Sequence, residues 1–239
     1  MDYLPPAYPA TVVYVRHAQS IGNILNKEER AELDVSTDAY SLTDLGRRQS
    51  EITGEWMREH FPHPDVILRS YYTRTRETSD ILYPDFPKID EPLLAERDRG
   101  VWHVMTREEI QRMIPWELVR RKRTGPYHYR PIGGESMADM ERRVRELRRS
   151  LRCNYPGKTV VLVGHAHWLL LLLKLAYRWT IEEMLARLEK NDWAQNASVL
   201  IFRPGPFDPQ TGKQRLLHDP KQDYFVPWEG ILEPGKAIP

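Results

Sequence analysis

Cysteine is all but missing from this chain. Cys153 is the single one in 239 residues, so neither a disulfide scaffold nor a multi-thiolate zinc site can be built. Net charge is nearly missing too. Lys and Arg number 35 against 34 Asp and Glu, a formal charge of +1. A general nucleic-acid binder rests on a strong positive excess, so no nucleic-acid partner is expected, although a local basic pocket stays open. No long apolar run occurs. The greasiest stretch, Trp168 to Tyr177, is interrupted by Lys174 and falls short of the roughly 20 residues that span a bilayer. It reads as a buried helix. The opening Met1-Asp2-Tyr3-Leu4-Pro5-Pro6 has neither a basic n-region nor an apolar h-region, so a cytoplasmic protein with no membrane partner is the expectation.

What is present is the balance of a folded protein. Hydrophobic residues make up 41% and charged residues 29%, unlike a disordered chain. The first ten residues hold three prolines and read as an extended arm, residues 1–10. Thr11 to Val15, Val66 to Leu68, Thr159 to Gly164 and Ala197 to Phe202 are short apolar runs, the pattern of strands buried on both faces. Helices are expected between them. Thr43 caps one whose Leu45, Ile52 and Trp56 share a face, with Pro62 and Pro64 marking its end. Thr73 to Leu82 reads as a second, and Thr106-Arg107-Glu108-Glu109 has the capping-box form. Ser136 opens another, in which Met137, Met140, Val144, Leu147 and Leu151 recur at spacings of 3, 4, 3 and 4. Its Arg142, Arg143, Arg145, Arg148 and Arg149 read as a solvated face.

Strands alternating with helices predict an α/β fold with a mostly parallel sheet covered on both faces. One domain over residues 11–203 is the simplest organisation. The tail, residues 204–239, carries seven prolines and cannot be regular for long. It is expected to wrap over the domain, anchored by Phe225 and Trp228. An exposed edge near the fourth strand could pair with a second chain, which makes a homodimer possible.

The chemistry gathers at strand ends. The first run ends in Arg16-His17-Ala18-Gln19-Ser20 with Asn23 close behind, and the third ends in Gly164-His165-Ala166. Ligands of parallel α/β sheets bind at the carboxyl ends of strands. Arg69-Ser70 ends the second run, and Arg74 follows in the next helix. Two histidines and at least two arginines could therefore share one rim. Guanidinium forks match phosphate oxygens, and helix N-termini add N–H donors, so the rim reads as a pocket for a phosphate group. His165-Ala166-His167 also has the form of a zinc pair, but no third ligand is evident nearby. His60, His63, His103, His128 and His218 read as surface or loop residues.

These residues and several more resemble the histidine phosphatase superfamily, which includes cofactor-dependent phosphoglycerate mutases. The segments that carry the likeness are Arg16-His17-Ala18-Gln19-Ser20 with Asn23, Leu42-Thr43 with Gly46 and Gln49, and Ser70 with Arg74 and Thr78. Leu94-Ala95-Glu96-Arg97-Asp98 with Gly100, Gly134-Glu135-Ser136, and Val163-Gly164-His165-Ala166 complete the set, in the family's order. Tyr129-Arg130 shortly before Gly133 gives the closest likeness to the broad-range acid phosphatase branch. Alanines 18 and 166 and Tyr71 stand where that family usually has other residues.

The resemblance implies a three-layer α/β/α, phosphoglycerate mutase-like fold and a metal-independent phosphomonoesterase. His17 would be the nucleophile that forms a phosphohistidine, its other nitrogen donating to a backbone carbonyl. Arg16, Arg74 and His165 would bind the phosphoryl oxygens, with Asn23 adding a hydrogen bond and small Ala166 allowing close approach. Glu96 would be the general acid and then the base, and its pKa would need to be raised for the first of these steps. Arg99, Arg107, Tyr129 and Arg130 would lie on the substrate side. No cofactor and no metal is implied, because two arginines supply the charge. A small phosphorylated molecule is the expected substrate. The alternatives are mutase-type phosphoryl transfer and a non-catalytic phosphate-binding domain.

Overall fold

Six residues of β-branched and apolar character, TVVYVR, form β1 (Thr11–Arg16), with its middle four buried. In the computed structural model, which describes residues 7–33, 35–190, 194–208, 210 and 214–232, this strand lies near the middle of the sheet. The other strands are β2 (Val66–Arg69), β3 (Lys88–Asp90), β4 (Thr159–Gly164), β5 (Val199–Pro204), β6 (Leu216–Leu217) and β7 (Tyr224–Phe225). Their order is β3-β2-β4-β1-β5-β6, with β7 also on β5. Strands β1 to β4 run parallel, and β5 returns antiparallel to β1.

The helices are α1 (Ile21–Ile24), α2 (Lys27–Glu32), α3 (Asp44–His60), α4 (Thr73–Leu82), α5 (Val101–Val104), α6 (Arg107–Met113), α7 (Trp116–His128), α8 (Met137–Asn154), α9 (Ala166–Tyr177) and α10 (Ile181–Lys190). Because side chains alternate along a strand, each buried strand feeds two cores. Val12, Tyr14, Leu68, Val160 and Leu162 pack with the stripe of α8 and the leucines of α9. Val13, Val15, Ile67, Val161 and Val163 pack with Met57 of α3 and Leu82 of α4. The result is the three-layer α/β/α arrangement with a mostly parallel sheet.

Several expectations need correction. The fourth strand begins at Val199 rather than Ala197, because Ala197 takes a left-handed φ of 52°. Its outer side is no free edge: β6 and β7, both from the tail, pair with it, which removes the surface on which a second chain was expected to add. The arginine face of α8 is only partly solvated. Arg143 reaches the Leu93 and Ala95 carbonyls and Glu135, Arg145 pairs with Glu141, and Arg148 meets the Tyr8 hydroxyl. His218 lies in the tail but is buried, its Nδ1 donating to Ile201 O.

In the tail, Phe225 lies against Trp56, and buried Trp228 donates from its indole to Asn196 O. The first six residues of the expected arm, and residues 209, 211–213 and 233–239 of the tail, lie outside the described residues. Among the described residues no helix is long and apolar enough to cross a membrane.

Candidate active site

Three parallel strands deliver the site. Arg16 ends β1 and His17 follows it, Ser70 follows β2, and His165 follows β4. The β1–β4 register sets Arg16 opposite Gly164, so the two histidines emerge side by side, with ring centroids 5.2 Å apart. Arg74 enters from the first turn of α4. Glu96 comes from the loop after a short 3-10 turn, Pro92–Leu94.

The tautomer of His17 follows from its partner. His17 Nδ1 is 2.7 Å from Ala18 O. A carbonyl can only accept, so Nδ1 carries the proton and Nε2 keeps its lone pair. His165 Nε2 meets Ser70 Oγ at 2.9 Å, and the Tyr14 hydroxyl donates to His165 O at 2.9 Å. His165 Nδ1 and Arg16 Nε are buried with no hydrogen-bond partner among the described residues. Buried polar atoms are ordinarily satisfied; the Arg16 Nε–H is thus an unused donor, and His165 Nδ1 is a second in the tautomer whose Nε2 accepts from the Ser70 hydroxyl. The first turn of α9 adds to them: its N-cap, His165, makes no side-chain capping bond, and Ala166 is its first helical residue. Arg16 is anchored on Ala194 O and Arg74 on Thr37 O, the latter at 2.7 Å.

The remaining family-pattern residues hold the loop that carries His17. Thr78 Oγ1 accepts from Ala18 N, Gln49 Oε1 accepts from Gln19 N, and Thr43 Oγ1 donates to Gln19 Oε1. Gly46 lets α3 press against this loop, since a Cβ there would lie 1.9 Å from Gln19 O. A second strap holds the Glu96 loop. Glu135 accepts from Asp98 N and pairs with Arg143, which itself binds the Leu93 and Ala95 carbonyls.

Electrostatics separates the titratable groups. Burial, then Arg74, His165 and Arg16, holds His17 well below its ordinary value, so its imidazole is neutral. His165 is held down by burial and Arg74. Burial pushes the Glu96 carboxyl up, but His167, His165 and the Arg97 N–H outweigh it and hold it well below the carboxylate range. The raised value expected for a general acid is therefore reversed, because His167, which lies beside the carboxylate, and with it His165 and the Arg97 N–H outweigh the effect of burial.

The peripheral residues divide. Asn23 is exposed at α1, its Oδ1 accepting from Ser20 N and Oγ, so its amide N–H groups are left to donate. Arg99 is exposed beside Glu96 and lines a 110 Å³ cavity with Arg97, Trp102 and Arg121. Arg107 is exposed and lines a groove with Trp102, Arg121 and Lys122 that contains neither candidate histidine. Tyr129 is buried, not at an open mouth. Its hydroxyl donates to Glu117 and accepts from the Trp102 indole, which orients Trp102. Arg130 turns its guanidinium onto Asp139 at the start of α8.

Sequence reasoning missed three neighbours of the site. His103, expected at the surface, is half-buried and meets the Tyr40 hydroxyl at 3.2 Å; burial and then Arg99 and Arg30 push it down to about 4. Asn196 donates to His17 O at 3.0 Å. His167 sits 3.3 Å from Glu96, a contact whose only trace in the sequence is the His165-Ala166-His167 spacing. The two rings of that spacing face different partners, Ser70 and Glu96, and among the described residues no group of three or more His, Cys, Asp and Glu is placed to hold a metal.

Comparison with known proteins agrees with this geometry. The family model of the histidine phosphatase superfamily (branch 1) matches residues 12–212. Phosphoserine phosphatase 1 of Hydrogenobacter thermophilus is 31% identical over 157 residues, 64% of this chain and 70% of that protein. A 2,3-bisphosphoglycerate-dependent phosphoglycerate mutase of Allorhizobium ampelinum is 27% identical over 187 residues, 74% of this chain and 83% of its own. Among solved structures, Bacillus stearothermophilus YhfR superposes with a TM-score of 0.66 at 23% identity, covering 87% of this chain and 96% of that one. A mycobacterial glucosyl-3-phosphoglycerate phosphatase in complex with VO3 gives 0.64 at 23% identity, covering 88% and 97%. The fold is thus that of the phosphoglycerate mutase-like phosphatases, and the chain belongs to the histidine phosphatase superfamily, branch 1, as an enzyme of the phosphatase class.

Proposed function

We propose that this protein is a metal-independent phosphomonoesterase that works through a phosphohistidine on His17. The observation that carries the reading is the pairing of His17 Nδ1 with Ala18 O, which turns a free lone pair at Nε2 toward a rim of otherwise unused donors. His17 Nε2 attacks phosphorus, and the bond to the alcohol oxygen breaks. Arg16, Arg74 and His165 Nδ1 hold the phosphoryl oxygens throughout, so most of the stabilisation is positioning and charge. Glu96 Oε1 is occupied by the Arg97 N–H at 2.8 Å, which leaves Oε2 for the leaving oxygen and later for water. Water then attacks the phosphohistidine and releases phosphate, and His17 is regenerated.

The substrate is a phosphorylated small molecule. Support for hydrolysis over isomerisation comes from the phosphatase relative, and phosphoserine belongs in any first panel for that reason. The test is phosphate release from a panel of esters in EDTA, wild type against His17→Ala. Turnover should survive the chelator and vanish in the variant, and quenching in alkaline detergent during turnover should trap a phosphoenzyme that is stable to base and lost in acid. Isomerisation of a phosphoglycerate without net phosphate release would replace the hydrolase by a mutase. Phosphate-ligand affinity with no turnover would leave only a binding domain.

A further inference from the structure

Glu96 must give a proton to the leaving oxygen, yet its surroundings keep it ionised. The charged and titratable groups that act on it come from four directions. They are Tyr14 and Arg16 from β1, Tyr72 and Arg74 from the β2–α4 corner, His165 at the end of β4, and Arg97 and Arg99 from its own loop. Guanidinium groups do not release protons in proteins. Both tyrosines are pushed above their ordinary range, by burial first. His165 is held neutral and faces the phosphoryl site, and so is His17. None of these groups can supply a proton near neutrality.

One more group remains. His167 stands in the first turn of α9 with Nδ1 3.3 Å from Glu96 Oε1. That Nδ1 is buried and has no well-aligned hydrogen bond. Catalytic contacts are often long or misaligned before the substrate arrives and tighten on binding. The carboxylate is 16% exposed and the imidazole 27% exposed as side chains, so substrate can reach the carboxylate while both stay largely out of water. Imidazole is the side chain whose protonation ordinarily changes between pH 5 and 8.

We propose that Glu96 and His167 hold one shared proton, so that the acid-base catalyst of this protein is the pair and not the carboxylate alone. The proposal rests on the phosphohistidine reading above. In the first step the shared proton moves from His167 fully onto the Glu96 carboxyl, which gives it to the alcohol oxygen as that oxygen's bond to phosphorus breaks, and the pair is left as neutral His167 and Glu96 carboxylate, one proton fewer. In the second step water attacks the phosphohistidine, gives a proton to Glu96, and the pair is reloaded as phosphate leaves His17. His167 stores that proton between turnovers without touching the substrate, and is a positioning residue in that sense.

Two substitutions separate proton storage from mere support. His167→Asn keeps an N–H donor at the position of Nδ1 but cannot release its proton; His167→Ala removes both. Each is assayed from pH 5 to 9 on an alkyl phosphate, phosphoserine, and on an aryl phosphate, p-nitrophenyl phosphate, whose leaving group needs little protonation. General-acid help is worth about 10² to 10⁴ in rate. Both variants should lose on the order of 10²-fold with the alkyl ester and far less with the aryl ester, and the basic limb of the alkyl profile should move to lower pH. His167→Asn matching wild type in rate and profile, or equal losses on both esters, overturns the proposal in favour of a structural contact. Absence of His17-dependent turnover of the aryl ester by the wild type overturns the phosphohistidine reading itself, and the proposal with it.

Discussion

Ser70 shows how much a single hydroxyl decides. It holds His165 Nε2 and so presents Nδ1 to the pocket. Ser70→Ala leaves a buried nitrogen unpaired and the ring free to turn, which costs about 1–3 kcal/mol. If that cost falls on the transition state, kcat/KM drops about five- to a hundredfold, at about 1.4 kcal/mol per decade; steady-state kinetics on an aryl phosphate check it, and an unchanged value would show that Tyr14 and packing alone orient His165. At this scale the sequence was partly legible. A backbone partner for His17 was foreseeable, because a nucleophilic imidazole needs its tautomer fixed. The charge state of Glu96 was not, because it is decided by burial and by His167 and His165, which reach it from a distant part of the chain. Tyr129 and Arg130 were misplaced for a related reason: their sequence position said nothing of Glu117 and Asp139, the partners that take them.

Between elements, the contact of α3 with the His17 loop is the tightest in the site. A Cβ on residue 46 would stand only 1.9 Å from Gln19 O, so Gly46→Ala must push the loop or the helix away. Overpacking of this kind costs about 1–3 kcal/mol. Urea unfolding should show that loss, and kcat should fall with it because Gln19 is two residues from His17; full activity at reduced stability would mean the helix moves and the loop does not. Elements with strong local signals were readable: the buried strands, the capped helix α3 and the striped helix α8. Helix α7 was not, since Gly125 with φ 78° and Pro126 interrupt it and only packing carries the chain through. Strands β6 and β7, at two residues each, carry no periodicity to read.

Across the whole molecule, the tail reaches His17 in two steps. Trp228 donates to Asn196 O, and Asn196 donates to His17 O. Trp228→Ala should therefore lower both thermal stability, by about 3–5 kcal/mol as a buried tryptophan, and kcat; a stability loss with undiminished kcat in the folded fraction would uncouple tail from site. The buried histidines also set the response to acid. His17, His103, His165 and His218 are all held below their ordinary 6.5, so below that pH the unfolded chain binds protons that the folded chain refuses, and stability falls as pH falls. Glu96, held below its ordinary 4.5, adds a further loss as acid protonates it in the unfolded chain. Thermal midpoints should drop steadily from pH 7 to pH 4, and bound phosphate should offset the drop; a flat profile would show that the histidines are not buried neutral.

The sequence by itself determined the alternation of apolar strands and helices, the strand ends where two histidines and two arginines emerge, and the family. Those features are local: hydrophobic period, capping residues and short motifs each act within a few positions. Only the tertiary structure decided that Glu96 is ionised, that His167 is its partner, that Tyr129 serves Trp102, and that the tail closes the edge of β5. Each of these depends on groups brought together from remote segments, and burial and Coulomb interaction depend on distance in space, which no sequence spacing encodes.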